Sequence, residues 1–330
     1  MALLEIKNLN LGFNCECGFR QALFDVSFNL ESGNMHALVG ESGCGKTISA
    51  MSILRLLPKT ACITGGKILF NNENILEMSA KRLQKLRGAK IALIPQDPMT
   101  SLNPLYTIGN QLLEVIKIHQ GLKGDAAFVK AVEALDMVQI PCAKDRMNSY
   151  PHEFSGGMKQ RAIIAMALAC KAEILIADEP TTALDVTVQA QIMSLLKEIK
   201  KERNTAILLI THDLALVSEN ADYVSVMYAG RIVENAPADE FFSNTSHPYA
   251  NALLKSLPSV RRNEKLLTIS GQPPSIQQDI SGCKFHPRCE KCMNICTKAV
   301  PGIYNVGEKH FCTCFLYKDD KCTAALFEET

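Results

Sequence analysis

The segment Gly40-Glu41-Ser42-Gly43-Cys44-Gly45-Lys46-Thr47 constrains this chain more than any other, because it fits G-x-x-x-x-G-K-[ST] in the right surroundings. The apolar run at residues 35–39 reads as a short buried strand entering the loop. Residues 48–57 read as a helix leaving it, stopped by Pro58. A strand, a glycine loop and a helix together make a phosphate cradle. Gly40, Ser42, Gly43, Cys44 and Gly45 bring backbone N–H groups toward phosphate oxygens, and the helix start adds its positive dipole end. Lys46 is expected to reach the β- and γ-phosphates of a nucleotide, and Thr47 to hold Mg²⁺.

A second element supplies acids. Residues 174–177 are apolar and run into Asp178 and Glu179. A buried strand that delivers carboxylates at its C-terminal end suits a site at the edge of a parallel sheet. Asp178 is expected to hold Mg²⁺, mostly through water, and Glu179 to polarise an attacking water. A third element, Phe154-Ser155-Gly156-Gly157-Met158, is a glycine-rich turn opening a helix and so a second anion-ready surface. One chain need not fold both glycine segments onto the same nucleotide. The pair points to two chains closing face to face over shared ATP.

Bulk properties narrow the remaining choices. Lys plus Arg is 35 against 34 for Asp plus Glu, so no general field draws the chain to nucleic acid or an anionic membrane. The longest clean apolar run, residues 162–170, is far below the roughly 18–20 residues of a membrane span and reads as a buried helix. The N-terminus lacks the basic segment and long apolar stretch of a leader, which gives a cytoplasmic expectation. Of 13 cysteines, Cys283, Cys289, Cys292, Cys296, Cys312, Cys314 and Cys322 crowd the C-terminal end. A cytoplasmic setting argues against disulfides, and the clustering argues for a metal site.

Periodicity supplies the fold class. Residues 3–11 and 22–30 alternate as strands, with short strands at 68–70 and 91–94. Residues 107–139 carry helical spacing through Ile108, Leu112, Val115, Ile116, Phe128, Val132 and Leu135. Strands at 174–177, 206–210 and 223–227 then alternate with a helix near 188–201, which implies a mostly parallel sheet in an α/β fold. His247-Pro248-Tyr249 opens a short helix closed by Pro258, and Gln272-Pro273-Pro274 is a connector.

These motifs together resemble the ATPase subunit of an ABC transporter. Phe154-Ser155-Gly156-Gly157-Met158 resembles the family signature, with Met158 where glutamine is usual. Gln96 resembles the Q-loop glutamine, Ala183-Leu184-Asp185 the D-loop, and His212 the switch histidine. The motifs fall in the family's order over roughly residues 3–235. The resemblance implies a P-loop NTPase (RecA-like) core with an N-terminal antiparallel β subdomain, an inserted helical subdomain at about 97–170, and a cysteine-rich C-terminal extension. The ATPase domain would span 1–235 and the extension 236–330. It implies catalytic roles for Lys46, Glu179 and His212. Ser155, Gly156 and Gly157 would face the γ-phosphate of ATP held by the opposite chain, and Asp185 would cross that interface. Gln96 would join Thr47 and Asp178 around Mg²⁺, and Phe13 would stack on adenine.

A narrower resemblance rests on Gln96-Asp97-Pro98-Met99-Thr100-Ser101-Leu102-Asn103-Pro104, His247-Pro248-Tyr249, and Gly282-Cys283-Lys284-Phe285-His286-Pro287-Arg288-Cys289. It is to the dipeptide/oligopeptide/nickel importer branch, nearest the D-type ATPase of dipeptide importers. The implied partners are a second, related ABC ATPase, two membrane permease subunits and an extracytoplasmic substrate-binding protein, without nucleic acid. The implied location is the cytoplasmic face of the inner membrane, with the segment near residues 98–105 passing motion to the permeases. Cys44 stands where this branch often has serine and is a possible point of sensitivity to thiol reagents. Cys283, Cys289, Cys296 and Cys312 resemble the ligand set of a [4Fe–4S] cluster found in some members. The short spacings Cys289-x₂-Cys292 and Cys312-x-Cys314 suit structural zinc as the alternative, and a metal-free tail stays open. Nickel is the alternative cargo. A soluble ABC ATPase and a redox-sensing ATPase are the alternatives of other classes.

Overall fold

The computed structural model describes residues 2–16, 18–182, 184–256 and 269–318. Two compact units emerge: residues 1–31, 35–77 and 211–330 form the first, and residues 32–34 and 78–210 the second. The first begins with strands β1 (Ala2–Cys15), β2 (Gly18–Glu31) and β3 (Met35–Val39), helix α1 (Lys46–Ile53), and strands β4 (Ala61–Phe70) and β5 (Glu73–Asn74). The second holds α2 (Ala80–Leu86), β6 (Ile91–Ile94), α3 (Pro98–Ser101), α4 (Ile108–Gln120), α5 (Gly124–Met137), α6 (Ala143–Arg146), α7 (Gly156–Ala169), β7 (Ile174–Asp178), α8 (Val186–Arg203) and most of β8 (Ala206–Thr211). The first unit resumes with α9 (Leu214–Asn220), β9 (Tyr223–Tyr228), β10 (Arg231–Pro237), α10 (Ala238–Ser243), α11 (Pro248–Lys255), β11 (Tyr304–Gly307) and β12 (His310–Cys312).

In the first unit, β2, β1, β4 and β5 form an antiparallel sheet in that order. Its buried face is a ladder of apolar pairs: Leu4 with Leu30, Ile6 with Phe28, Leu9 with Val26, and Leu11 with Leu23. The step from Ile6 to Leu9 breaks period two, and a register shift there restores the face. Asn8 and Asp25, both at positive φ, supply that irregularity. Strand β4 runs seven residues further toward the N-terminus than the apolar stretch 68–70 predicts. A Cβ at Gly66 (φ +92°) would lie 2.4 Å from the Asn8 carbonyl oxygen, so glycine there permits the close pairing with β1.

Helix α1 ends four residues before the stop expected at residue 57. Arg55 adopts φ +51°, its N–H donates to the Ser52 carbonyl (3.1 Å), and the Leu56 N–H donates to the Met51 carbonyl (2.9 Å). This is a Schellman closure built on arginine instead of glycine, so no residue type announced it.

The rest of the first unit surrounds β9, which pairs parallel with β3 and antiparallel with β10; β10 in turn pairs with β12, and β12 with β11. Ala37 and Val39 of β3, Val224, Val226 and Tyr228 of β9, and Phe241, Tyr249 and Phe285 from the later segments share one buried cluster. Residues beyond 236 therefore pack into the core that carries the strand entering the glycine loop. Cys17, Pro258 and Cys322 lie outside the described residues.

His36 of β3 is buried between Phe28 and Tyr223, with its Nε2 2.8 Å from Ser225 Oγ. Burial pulls its pKa down from 6.5 to about 4 against the opposing effect of the Asn29 backbone. Burial likewise lowers His247, to about 3. The unfolded chain then binds protons near pH 6.5 that the folded chain refuses. Stability is full above about pH 6.5 and is lost as pH falls toward 4, by up to about 1.4 kcal/mol per pH unit for each group. Melting temperatures at pH 7.5 and 5.0 should show this drop, and His36→Gln should make it shallower. An equal drop in the variant would remove His36 from the acid response.

In the second unit, β6, β7 and β8 are parallel neighbours, and every residue of β7 and β8 is buried. The helical stretch expected at 107–139 is two helices. Thr107 caps α4 by accepting the Asn110 N–H, and Gly121 (φ +71°) ends it. The apolar run 162–170 forms the last turns of α7 and its C-cap Cys170, and the buried residues of the helix include Ala162, Ile163, Ile164 and Leu168.

Candidate nucleotide site

The first unit carries the glycine loop. Gly40, Gly43 and Gly45 all have positive φ (152°, 78° and 111°), and Gly45 stands at the N-cap of α1. A Cβ at Gly40 would lie 2.2 Å from the Met227 carbonyl oxygen, a backbone atom that cannot yield, so the loop is threaded tightly against β9. Lys46 is 5% exposed, and its Nζ donates to the carbonyls of Gly40 (2.8 Å) and Glu41 (3.0 Å), folding the loop back over its own ammonium. The Gly230 N–H donates to the Cys44 carbonyl (2.8 Å) from the turn after β9. Ser42 and Gly43 are exposed at the loop tip, and Thr47 is half-buried on the first turn of α1.

The Cys44 expectation changes with burial. Its side chain is 4% exposed, with Sγ 3.8 Å from Lys46 Nζ. Burial pushes the thiol up, and the neighbouring lysine only partly opposes this. A buried thiol of raised pKa is a slow nucleophile, so Cys44 is shielded, unlike the exposed Cys15, Cys62 and Cys142. His212, exposed at the end of β8, precedes Asp213, which caps α9 by accepting the N–H groups of Ala215 and Leu216. Phe13 is half-buried on β1, opposite Arg20 and Ala61.

The second unit carries the acids. Asp178 is the last residue of β7 and is 1% exposed. Glu179 follows at φ +48°, with its N–H donating to the Ile210 carbonyl (2.9 Å). This turn swings its half-buried carboxylate out of the strand. The carboxylate accepts from Thr182 Oγ1 (3.1 Å) and from Gln96 Nε2 (3.2 Å). Beneath the turn, buried Gln160 donates to the Pro180 carbonyl (2.9 Å). Gln96 and Glu179 are thus brought together, with Thr182 and Gln160 as supports that the sequence reading missed. Thr182 lies three residues after Glu179 in the same turn, whereas Gln160 reaches that turn from α7 by tertiary packing that no spacing records.

Ser155 caps α7, accepting the Met158 N–H at 3.3 Å, and Gly156 opens onto free space. A capped 14-residue helix with an open first turn can receive an anion. Asp185 caps α8 by accepting the Val188 N–H (3.0 Å); burial lowers the pKa of Arg161, and the charge of Asp185 only partly opposes this.

Burial raises the thiols of Cys283, Cys289 and Cys314, Cys314 to about 11, and nearby sulfurs among Cys283, Cys289, Cys292 and Cys296 raise them further. Burial pushes the Cys312 thiol well above its ordinary value, and the charges of Glu234, Cys314 and Cys283 add to this. Among the described residues, no group of three or more His, Cys, Asp or Glu side chains has the arrangement to hold a metal ion.

A glycine loop that joins a buried strand to a helix, with Gly40, Gly43 and Gly45 at positive φ, marks the α/β P-loop NTPase class. The ABC transporter family profile matches residues 23–182, and the profile of the oligopeptide/dipeptide transporter C-terminal region matches residues 233–296. A probable peptide ABC transporter ATP-binding protein of Sinorhizobium fredii is 47% identical over 95% of this chain and 94% of its own length. The oligopeptide transport ATP-binding protein OppD of Escherichia coli is 48% identical over 91% of this chain and 89% of its own length. The dipeptide transport ATP-binding protein DppD of Bacillus subtilis is 45% identical over 95% and 94%. A solved dimeric ATP-binding cassette, in a post-hydrolysis state with ADP and phosphate, covers 71% of this chain and 98% of its own at TM-score 0.65 and 28% identity. The chain belongs to the ABC transporter ATP-binding proteins, and it joins the ABC ATPase cassette to an oligopeptide/dipeptide transporter C-terminal region. It is an ATPase.

Proposed function

We propose that this chain powers the import of short peptides, binding Mg²⁺–ATP in a site completed by a second ABC ATPase. The observation that supports this most is the pairing of the glycine loop with a C-terminal segment whose profile is that of oligopeptide and dipeptide transporters. Lys46 and the loop N–H groups hold the β- and γ-phosphates. Thr47, Asp178 and Gln96 would hold Mg²⁺, which supplies charge neutralisation on the phosphates when bound. Glu179 takes a proton from the attacking water, and His212 holds that water and the γ-phosphate. Ser155, Gly156 and Gly157 serve the nucleotide of the opposite chain, Asp185 lies at the interface, and Phe13 covers the adenine.

Residues 1–235 act as the ATPase module, with the helical insertion at about 97–170, and 236–330 as the extension. Among the described residues, no helix is long and apolar enough to cross a membrane. The chain docks on two permeases from the cytoplasmic side, and an extracytoplasmic binding protein delivers the cargo. The docking segment follows Gln96, where Met99, Leu105 and Tyr106 are 61%, 80% and 54% exposed on a short stretch. Such apolar exposure fits a partner surface. A [4Fe–4S] cluster on Cys283, Cys289, Cys296 and Cys312 rests on the resemblance of their spacing. Iron and acid-labile sulfide near about four each per chain would support it, and their absence would make the tail a docking extension.

The test of cargo is uptake by proteoliposomes that contain the whole importer. ATP-dependent accumulation of a labelled dipeptide, not competed by nickel, is expected. Nickel accumulation without peptide uptake would transfer the reading to a metal importer.

A further inference from the structure

Glu41, the second residue of the glycine loop, is held at its N–H, its carbonyl and its carboxylate, and two of the four holding groups come from residues beyond 236. Its N–H donates to the Tyr249 hydroxyl (3.0 Å). Its carbonyl accepts from Lys46 Nζ (3.0 Å) and the Cys44 N–H (3.3 Å). Its carboxylate accepts both arms of the Arg288 guanidinium, Nη1 to Oε2 at 2.6 Å and Nη2 to Oε1 at 2.9 Å. Arg288 is fixed in turn: its Nε donates to the Ser270 carbonyl (3.0 Å), and its guanidinium lies over the Tyr228 ring at 5.8 Å. Its side chain is only 5% exposed, against 23% for Glu41. The ring of Tyr228 packs on Tyr249 and on Phe285, three residues before Arg288.

We infer that Arg288 is a positioning residue for the phosphate loop, acting through the Glu41 carboxylate. A two-armed ion pair fixes orientation as well as distance, and a half-buried pair is screened far less than a surface one. The fork does two things for the loop. It orders Glu41, and with it the carbonyls that seat Lys46, so less order must be created when ATP binds. It also neutralises a carboxylate that would otherwise stand beside the phosphates of an anionic ligand. Both effects act on nucleotide binding and hardly on the chemical step. The inference rests on the assignment of residues 40–47 as the phosphate loop.

The test is a double-mutant cycle on the full chain in the assembled importer, reading KM for ATP separately from kcat. Arg288→Gln should raise KM about tenfold, equivalent to about 1.4 kcal/mol, with kcat within about twofold. Arg288→Lys, a single point charge in place of the fork, should fall between wild type and Arg288→Gln. Glu41→Gln should raise KM about threefold, because the loop loosens but no free carboxylate appears. The double variant should bind no worse than Arg288→Gln alone, because the repelling carboxylate is gone. Wild-type KM in Arg288→Gln, or a double variant about thirtyfold weaker as independent sites multiply, would overturn the inference. If Arg288→Gln does not fold, Glu41→Gln decides alone: a raised KM supports the link and an unchanged KM overturns it. Lys46→Ala run alongside separates the two levels, because unchanged affinity there would sink the phosphate-loop assignment itself.

Discussion

Glu179→Gln should lower ATP turnover by at least about 10²-fold, the scale of a lost general base, and leave ATP affinity within about twofold. The left-handed backbone at Glu179 throws the carboxylate clear of β7, and Thr182 and Gln96 fix its direction. Glutamine keeps that shape and still accepts from Thr182, but it cannot take a proton from water. On the proposed assignment binding rests on the glycine loop, so affinity should persist. Phosphate release under saturating ATP, paired with equilibrium ATP binding, checks both halves. Wild-type turnover in the variant would remove Glu179 from the mechanism.

Lys46→Ala should act on the other half, weakening Mg²⁺–ATP binding by about 100-fold or more. The Lys46 ammonium is buried and bonded to the carbonyls of Gly40 and Glu41. Losing it removes a charge-assisted contact to phosphate and leaves those carbonyls facing the ligand, at about 1.5–3 kcal/mol for each charged hydrogen bond. Calorimetric titration of the full chain with Mg²⁺–ATP measures the loss. An unchanged dissociation constant would mean that the phosphates bind elsewhere.

Much of the site was legible because its chemistry is local in sequence. Gly40, Gly43, Gly45 and Lys46 lie within one loop, and residues 174–179 announce a buried strand ending in acids. Helix α7 begins at the glycine turn that marks it, and Ser155 caps it as its residue type permits. What was not legible depends on contacts between distant residues. Arg288 meets Glu41 across 247 positions, so no periodicity could join them. The resemblance covered His286-Pro287-Arg288-Cys289 without indicating where the arginine points. The early end of α1 was hidden because arginine adopts the left-handed position where glycine is the usual signal. The seven extra residues of β4 were hidden because the apolar stretch stops at Ile68, while Gly65 and Gly66, which have no side chain to add to it, allow close pairing with β1. The reach of the tail was also hidden: β12 pairs with β10 through Glu234 and Cys312, so the extension completes a sheet that composition alone makes look finished at residue 235.

The central claim is that ATP hydrolysis by this chain drives peptide transport. The most direct measurement is steady-state ATP hydrolysis by the whole importer in proteoliposomes, with and without peptide-loaded binding protein. Hydrolysis should rise several-fold with the loaded protein and vanish in Glu179→Gln. A rate that is the same with loaded, empty or absent binding protein would contradict the coupling, even if the chain hydrolyses ATP.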